Sequence, residues 1–178
     1  MFIQDSYYLK EIKRIRVSEG RDLDNGLRLD RNEKVAGWPS DIMKDIFLSK
    51  PDWFLSVYPE NANLYDKLAL FHKINKENIL LTSGIDGGIK TILEVMCSPG
   101  DLLGVLSPTY AMYKVYANIF QLNLMEIEYT ENLKLDLDSI KDFLNLGPKI
   151  FFIPNPNQPI EDTLSIMYYA LLIDLLKV

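Results

Sequence analysis

Three polar turns follow apolar runs between residues 79 and 159, and each has residue types that could hold a small ligand. The first turn covers residues 83–88 and reads SGIDGG. It precedes a helical pattern, and the first amides of a helix carry partial positive charge that binds a phosphate without a lysine. Gly84 permits close approach of the backbone, and Ser83 or Asp86 could cap the helix. The turn is neither a Walker loop nor GxGxxG, and taken alone it favours an ordinary capped turn.

The second turn lies in residues 106–113, which read LSPTYAMY. Pro108 presets the start of a helix, and the pattern places Tyr110 in the first turn of that helix. An aromatic ring at this place can stack on a flat ligand ring. The alternative is a core tyrosine whose hydroxyl reaches the surface, and this turn alone slightly favours it.

The third turn ends the apolar run at residues 151–153 and continues as PNPNQP. Prolines at 154, 156 and 159 fix the backbone, so that Asn155, Asn157 and Gln158 are held in place. Preorganised amides donate hydrogen bonds at low entropic cost, for example to a ring hydroxyl. A plain proline-rich exit from a strand is the weaker interpretation, because so many rigid residues are unusual there.

The elements that must position these turns alternate between strand and helix. Little polar alternation occurs inside the predicted strands, which indicates an α/β fold with a mostly parallel sheet. Ligands of such sheets bind beyond the carboxyl ends of the strands, where all three turns lie. The predicted strands cover residues 79–82, 102–106, 124–129 and 149–153. The predicted helices cover residues 40–49, 89–96, 107–120 and 137–146, and a further helix is predicted to begin at about residue 62. Ser40 and Asp41 are expected to cap the first helix, and Asp136 and Asp138 stand near the start of the last.

Composition narrows the classes of function. The chain has 178 residues, of which 48% are hydrophobic, and its net charge is −6. This acidic balance argues against broad nucleic-acid binding. The N-terminus lacks the apolar core of a signal peptide, and the apolar run at residues 164–176 is short and contains Asp174, so no membrane span is expected.

The single cysteine and the single histidine are not expected to do chemistry. Cys97 lies among apolar residues at the end of a helical pattern and is interpreted as a small core residue. Without a second cysteine there is no internal disulfide, which fits a reducing, cytoplasmic location. His72 has no neighbouring histidine or cysteine with which to hold a metal, so a surface or capping role is expected.

Taken together, the ordered segments resemble the fold type I pyridoxal-phosphate-dependent aminotransferases, and most closely the histidinol-phosphate aminotransferase group. The resembling segments span about residues 26–159 and read LRLDRNE, VYPENANLYDKLA, ILLTSGIDGGIKTIL, SPGD, GVLSPTYAMY and IPNPNQP. The resemblance implies pyridoxal 5′-phosphate as cofactor, and a small-molecule amino donor and keto acceptor as partners. It also implies a three-layer α/β large domain with a mostly parallel sheet, incomplete at its C-terminal end.

The resemblance assigns the cofactor-binding residues one by one. Gly84, Ile85 and Asp86 match the positions that grip the cofactor phosphate, and Tyr110 matches the aromatic residue that stacks on the pyridine ring. The asparagine that bonds the ring's 3-hydroxyl in this family corresponds to Gln158.

Three further residues are assigned on the same basis. Asn157 lies one residue too early to replace that asparagine unless the loop shifts. Tyr58 matches the tyrosine that reaches the phosphate of the partner subunit, which implies a homodimer. Asn32 and Glu33 match an N-terminal segment near the substrate.

The sequence also departs from the family. Its third turn continues with Ile160 and Glu161 in place of Thr-Gly. After Pro159 there is no motif for the aspartate at the pyridine nitrogen, the Schiff-base lysine or the arginine that binds the substrate carboxylate. Asp174 and Lys177 lack the family context, so no catalytic residue is assigned and the chain alone is predicted to be inactive.

The expected organisation has three parts: an N-terminal arm and small-domain segment over residues 1–50, a partial cofactor-binding large domain over residues 51–165, and an atypical apolar tail over residues 166–178. A reading-frame break or premature stop would explain the tail, and a buried helix at an interface is the alternative.

Three functions remain open at this point. The first is a transaminase that exchanges an amino group between an amino acid or amine and a 2-oxo acid or aldehyde. The second is a non-catalytic binding or partner module derived from the same fold. The third, an α/β enzyme that binds a nucleotide or a sugar phosphate at residues 83–88, explains neither Tyr110 nor the third turn.

Overall fold

The computed structural model describes residues 33–160 together with Ser165, Ala170 and Ile173. These residues belong to two compact units, one that ends at Leu80 and one that continues from Leu81. Residues 1–32, which include Asn32 and the first part of the predicted N-terminal segment, lie outside the described residues, as does most of the apolar tail.

Among its described residues, the unit that ends at Leu80 contains two helices and a short 3-10 turn. Helix α1 spans Ser40–Leu48, helix α2 spans Ala62–His72, and the 3-10 turn spans Lys76–Asn78. Both predicted helices are confirmed. The expected cap at Ser40 and Asp41 is wrong, since Ser40 is the first helical residue and Pro39, which cannot cap with its side chain, precedes it. None of residues 33–80 is buried within the described chain.

The unit from Leu81 onward is built on a sheet of three parallel strands in the order β2–β1–β3. Strand β1 spans Leu102–Ser107, β2 spans Asn123–Glu128 and β3 spans Ile150–Phe152. In the register of the sheet, Leu103 is aligned with Leu124 on one side and with Ile150 on the other. The central position of β1 explains why its sequence is an unbroken apolar run, because both of its faces are covered.

Helices cover both faces of this sheet. Helix α3 spans Gly84–Met96, α4 spans Met112–Ile119 and α5 spans Leu137–Asn145. Alternate residues of β1 point to opposite faces, so each face has its own apolar cluster. One cluster contains Ile89, Leu93, Leu103, Val105, Tyr113, Ala117 and Leu122, and the other contains Ile127, Ile140 and Phe143. The predicted three-layer α/β fold with a parallel sheet is thereby confirmed for this part of the chain.

Gly104 in the middle of β1 lets two aromatic rings pack against the sheet. A Cβ atom at this position would lie 2.2 Å from Cζ of Phe143 and 2.9 Å from Cδ2 of Phe151. The two rings meet each other edge to face, with 5.1 Å between their centroids. The close approach of α5 to the sheet therefore depends on the missing side chain.

The predicted strand over residues 79–82 is wrong. Ile79 has extended backbone angles, with φ −118° and ψ 131°, but none of the described strands pairs with this segment. A strand needs a neighbour that takes its backbone hydrogen bonds, and an apolar run does not supply one. Within the described residues the sheet begins at β1, and this segment leads directly into α3.

Candidate ligand site at the carboxyl edge of the sheet

The candidate site lies where the parallel strands end. Strand β1 ends at Ser107, β2 at Glu128 and β3 at Phe152, and the loops that follow them meet at one edge of the sheet. The N-terminus of α3 is joined to the loop after β1, because the hydroxyl of Tyr110 donates a hydrogen bond to Oδ1 of Asp86 at 2.9 Å. Two of the three predicted turns therefore meet directly.

The N-terminus of α3 has a tight turn and no side-chain cap. The amide of Gly84 donates to the carbonyl of Thr82 at 2.8 Å, and Oγ1 of Thr82 donates to the carbonyl of Gly84 at 2.8 Å. Gly84 has a φ of +68°, in the left-handed region that favours glycine. Ser83 makes no capping hydrogen bond, so the following amides are not covered by its side chain. This end of the helix is suited to an anion.

Two further glycines let this turn lie against the helix. A Cβ atom at Gly87 would lie 3.3 Å from Cβ of Thr82, and one at Gly88 would lie 3.6 Å from Oγ1 of Thr82. Thr82 and Gly87 were not singled out from the sequence. The signal that could have identified them is the Gly-Gly pair in the first helical turn, where glycine is otherwise unfavourable.

The phenol ring of Tyr110 is held from two sides. Its hydroxyl is bound by Asp86, and its ring meets Tyr113 edge to face at 6.1 Å. Tyr113 in turn stacks on Phe152 at 4.9 Å, and burial raises the pKa of the Tyr113 hydroxyl. The predicted position of Tyr110 in the first turn of a helix is wrong, because α4 begins only at Met112. Tyr110 instead lies in the loop, partly buried at the edge of the sheet.

Asn157 is buried beneath the third turn, with 2% of its surface exposed. Its Oδ1 accepts a hydrogen bond from the hydroxyl of Thr109 at 2.6 Å. Its Nδ2 donates to the carbonyl of Pro108 at 2.9 Å and to the hydroxyl of Tyr129 at 2.8 Å. The third turn is thus tied to the loops that follow both β1 and β2.

The remaining candidate residues are exposed. Gln158 directly follows Asn157 and is an exposed residue, and Ile85 is 71% exposed. Tyr58 belongs to the unit that ends at Leu80 and is 95% exposed. The structure therefore joins Asp86 to Tyr110 and ties Asn157 to the loop that carries Tyr110.

The cysteine and the histidine lie outside this group. Cys97 packs partly buried against the core, and burial, aided by the charge of Asp101, raises the pKa of its thiol, which disfavours the reactive thiolate. His72 is exposed in the last turn of α2. No cluster of potential metal ligands occurs among the described residues.

None of the helices in the described part of the chain combines the length and the apolar character that crossing a membrane requires.

Comparison with known proteins agrees with the resemblance. A sequence profile of the family described as Aminotransferase class I and II matches residues 26–177. The chain belongs to this family. Histidinol-phosphate aminotransferase from Blochmanniella pennsylvanica is 39% identical over 124 residues, which are 68% of this chain and 34% of that protein. A dihydroxyacetone phosphate transaminase from Campylobacter jejuni is 31% identical over 139 residues, 76% of this chain and 38% of that protein.

Solved aminotransferase structures share the fold. Histidinol-phosphate aminotransferase from Sinorhizobium meliloti, in complex with pyridoxal 5′-phosphate, aligns with a TM-score of 0.67 and 18% identity, over 78% of this chain and 38% of that one. The predicted family and fold class of this aminotransferase chain are confirmed, and the predicted cofactor is that of the family. The chain spans about a third of the length of the curated relatives given above, 34% and 38%.

Proposed function

We propose that this aminotransferase chain contributes the phosphate and ring subsites of a pyridoxal-phosphate-dependent transaminase of the histidinol-phosphate aminotransferase kind. Such an enzyme exchanges an amino group between an amino acid or amine and a 2-oxo acid or aldehyde. The observation that carries the proposal is the hydrogen bond between Tyr110 and Asp86, 2.9 Å long. It connects an uncapped helix N-terminus, suited to a phosphate, with an aromatic ring, suited to a pyridine.

The residues present fit the cofactor in chemistry. A phosphate dianion requires donors and positive potential, and the uncapped first turn of α3 offers both without a basic side chain. We assign Gly84, Ile85 and Asp86 to this subsite. The carboxylate of Asp86 would repel a phosphate, but its hydrogen bond with the Tyr110 hydroxyl holds it on the side of the aromatic ring.

The ring subsite is assigned to Tyr110 and the third turn. Tyr110 is braced by Tyr113, so its face can be offered to a ligand ring at little entropic cost. Gln158 is assigned to the hydroxyl of that ring, and Asn157 directly precedes it in the turn. Pyridoxal phosphate, when bound, supplies the electron sink that makes the substrate's α-proton acidic. The part played by these residues is to bind and orient it.

We assign none of the identified residues of this chain to the catalytic steps of transamination. No residue after Pro159 stands in the context of the lysine, aspartate or arginine that the family uses. We therefore propose that these 178 residues alone do not catalyse transamination. The expected outcome is no keto product above background from amino-acid donors with pyridoxal phosphate and a 2-oxo acid. Turnover proportional to the concentration of the chain, and lost in Tyr110→Ala, would contradict this.

A homodimer with Tyr58 reaching the partner's phosphate, and a cytoplasmic location, complete the proposal. Light scattering of the purified chain tests the first: twice the mass of the monomer is expected. Tyr58→Phe should then weaken cofactor binding in the dimer without changing its mass, because only the hydroxyl is removed.

The cofactor itself is tested with two non-reactive analogues. Pyridoxine 5′-phosphate keeps the phosphate, ring and ring hydroxyl but has no aldehyde, so surface lysines cannot capture it. Equilibrium dialysis should show saturable binding of pyridoxine 5′-phosphate at least about tenfold tighter than binding of pyridoxine, which lacks the phosphate. Equal or unmeasurable binding of both compounds, or preferential binding of a nucleotide, would overturn the proposal.

A further inference from the structure

Among the described residues, Asn157 is the one polar residue that is buried. It lies at the centre of the candidate site, where its hydrogen bonds join the loops. A buried amide must have its donors and acceptor satisfied, since an unpaired polar group in the interior is costly. Here the partners come from two loops at the edge of the sheet, and the amide itself comes from a third. Thr109 and Pro108 follow β1, Tyr129 follows β2, and Asn157 itself follows β3.

These hydrogen bonds use both donors of the amide. One hydrogen of Nδ2 is given to the carbonyl of Pro108 and the other to the hydroxyl of Tyr129. The oxygen is taken by Thr109, whose hydroxyl lies 2.6 Å away. A side chain that is 2% exposed and has no remaining N–H cannot donate to a ligand without breaking one of these bonds.

The side-chain amide of Asn157 lies next to both proposed ligand-contacting residues in the chain or through its hydrogen bonds. The amide of Asn157 is bonded to Pro108 and Thr109, which immediately precede Tyr110. Gln158 immediately follows Asn157 in the chain. The partners are 48 and 49 residues away in sequence, so no local turn replaces this connection.

We propose that Asn157 is a positioning residue: it fixes the loop that carries Tyr110 and the exposed side chain of Gln158 relative to each other, and leaves ligand contact to those two. The link between the loops follows from the hydrogen bonds themselves. The consequence for a ligand rests on the proposed function.

The change Asn157→Asp tests this because it keeps the shape and replaces the Nδ2 donor by an oxygen. The charged carboxylate would face the carbonyl of Pro108, and burial raises the pKa of a carboxyl in such a place. Once protonated, the same group can donate to that carbonyl again. The variant should therefore be defective at pH 8 and partly restored at pH 5.5, a recovery that loss of a direct ligand contact does not predict.

The first measurement needs no ligand. Hydrogen exchange of peptides that cover residues 109–113 and 157–158, corrected for intrinsic rates, should be at least about tenfold faster in Asn157→Asp than in the wild type at pH 8, with a smaller difference at pH 5.5. Asn132→Asp, the same change on an exposed residue of this unit, is the charge control and should match the wild type. Wild-type exchange of Asn157→Asp at both pH values would overturn the proposal.

The second measurement is the affinity for pyridoxine 5′-phosphate. Asn157→Asp should weaken it about tenfold or more at pH 8 and less at pH 5.5, each relative to the wild type at that pH. An equal loss at both pH values with unchanged exchange would mean direct contact, and the proposal would fall. If the wild type does not bind the analogue, the proposed function is wrong. The hydrogen-exchange measurement then still tests whether Asn157 links the loops.

Thr109 supplies a pair of variants in case Asn157→Asp does not fold. Thr109→Val is nearly isosteric and removes the donor to Oδ1 of Asn157, whereas Thr109→Ser keeps the hydroxyl. Exchange and affinity should be altered in Thr109→Val and restored in Thr109→Ser. If Thr109→Val behaves as the wild type in both measurements, Asn157 does not act through this loop and the proposal is overturned.

Discussion

Two helices of the same unit begin in opposite ways. At α5, the carboxylate of Asp136 accepts hydrogen bonds from the amides of Asp138 and Ser139, at 3.1 and 3.2 Å, and from the hydroxyl of Ser139 at 2.8 Å. The bonds from Ser139, together with that from the Asp138 amide, lower the pKa of Asp136 below the ordinary value of a carboxyl. At α3, Ser83 makes no capping bond and Gly84 adopts a left-handed conformation.

We interpret the difference as one between a helix end that is stabilised by its own cap and one that we propose binds a phosphate. A side-chain cap satisfies the first amides and stabilises the helix on its own. An uncapped end loses that stabilisation but keeps its amides and partial positive charge available. Only the uncapped helix is bound to an aromatic residue of the neighbouring loop, Tyr110. The contrast can therefore be tested by exchanging the features of the two ends.

The largest effect is expected from giving α3 the cap of α5. Ser83→Asp places a carboxylate where the proposed phosphate binds, so that it competes for the amides and repels the anion. Like charges about 4 Å apart repel by about 4 kcal/mol near a protein surface, which corresponds to about 1,000-fold in affinity. Because salt screens part of this repulsion, we expect the affinity for pyridoxine 5′-phosphate to fall at least about 100-fold. Ser83→Asn introduces a neutral cap with the shape of aspartate, and its affinity for the analogue should fall much less. Equal affinity of the aspartate variant and the wild type in dialysis would refute the assignment.

The second effect concerns two glycines that share a left-handed φ. Gly84 has φ +68° at the start of α3, Gly147 has φ +69° beyond the end of α5, and neither has an atom within 4 Å of an added Cβ. Alanine at either position should reduce the free energy of unfolding by about 1 kcal/mol. Only Gly84→Ala should also lower the affinity for pyridoxine 5′-phosphate, by several-fold. Urea titration and dialysis of both variants give the comparison, and an equal loss of affinity in Gly147→Ala would count against a local effect.

A smaller effect is expected from Tyr110→Phe. The ring is kept, but Asp86 loses the hydroxyl that holds its carboxylate, and a freed carboxylate near the first turn of α3 disfavours an anion. Affinity for pyridoxine 5′-phosphate should fall about threefold, whereas binding of pyridoxine should change less. Salt dependence of the affinity is the additional readout, since screening weakens the added repulsion. An affinity gain would contradict this role of the hydroxyl.

The smallest effect on the ligand, and a clear one on stability, is expected at Asp136. Asp136→Ala should lower the melting temperature by a few degrees and leave the affinity for the analogue unchanged. Because the folded-state pKa of Asp136 is lowered, its contribution is present above the ordinary carboxyl pKa and is lost as the pH falls through the folded value. The difference in melting temperature between wild type and variant should therefore shrink towards pH 3. Asp136→Asn, which caps without titrating, should lack this pH dependence.

The features that the sequence predicts well are those whose signals lie within a few residues of each other. The apolar runs of β1, β2 and β3 and the capping aspartate of α5 carry their signals within a few residues. The run at residues 79–82 has the same composition, but strand formation depends on a pairing neighbour that composition does not reveal.

The site is predictable only in part for the same reason. Gly84, Asp86 and Tyr110 are identifiable from the turns that contain them. The burial of Asn157 is not, since its partners lie 28 to 49 residues away. Whether an amide in a proline-rich turn faces inward or outward depends on those distant loops, so the sequence left Asn157 and Gln158 undecided.

Gly104 has an evolutionary consequence. Every single-nucleotide change of a glycine codon that alters the residue adds at least one carbon atom or ends the chain, and here the ring of Phe143 already lies 2.2 Å from where that atom would be. A larger residue at this position therefore needs a smaller residue at position 143, and the ring of Phe151, 2.9 Å from the added atom, must shift as well. In related chains with the same layers, we expect glycine at the first position to accompany a large ring at the second, and the pair to be inherited together.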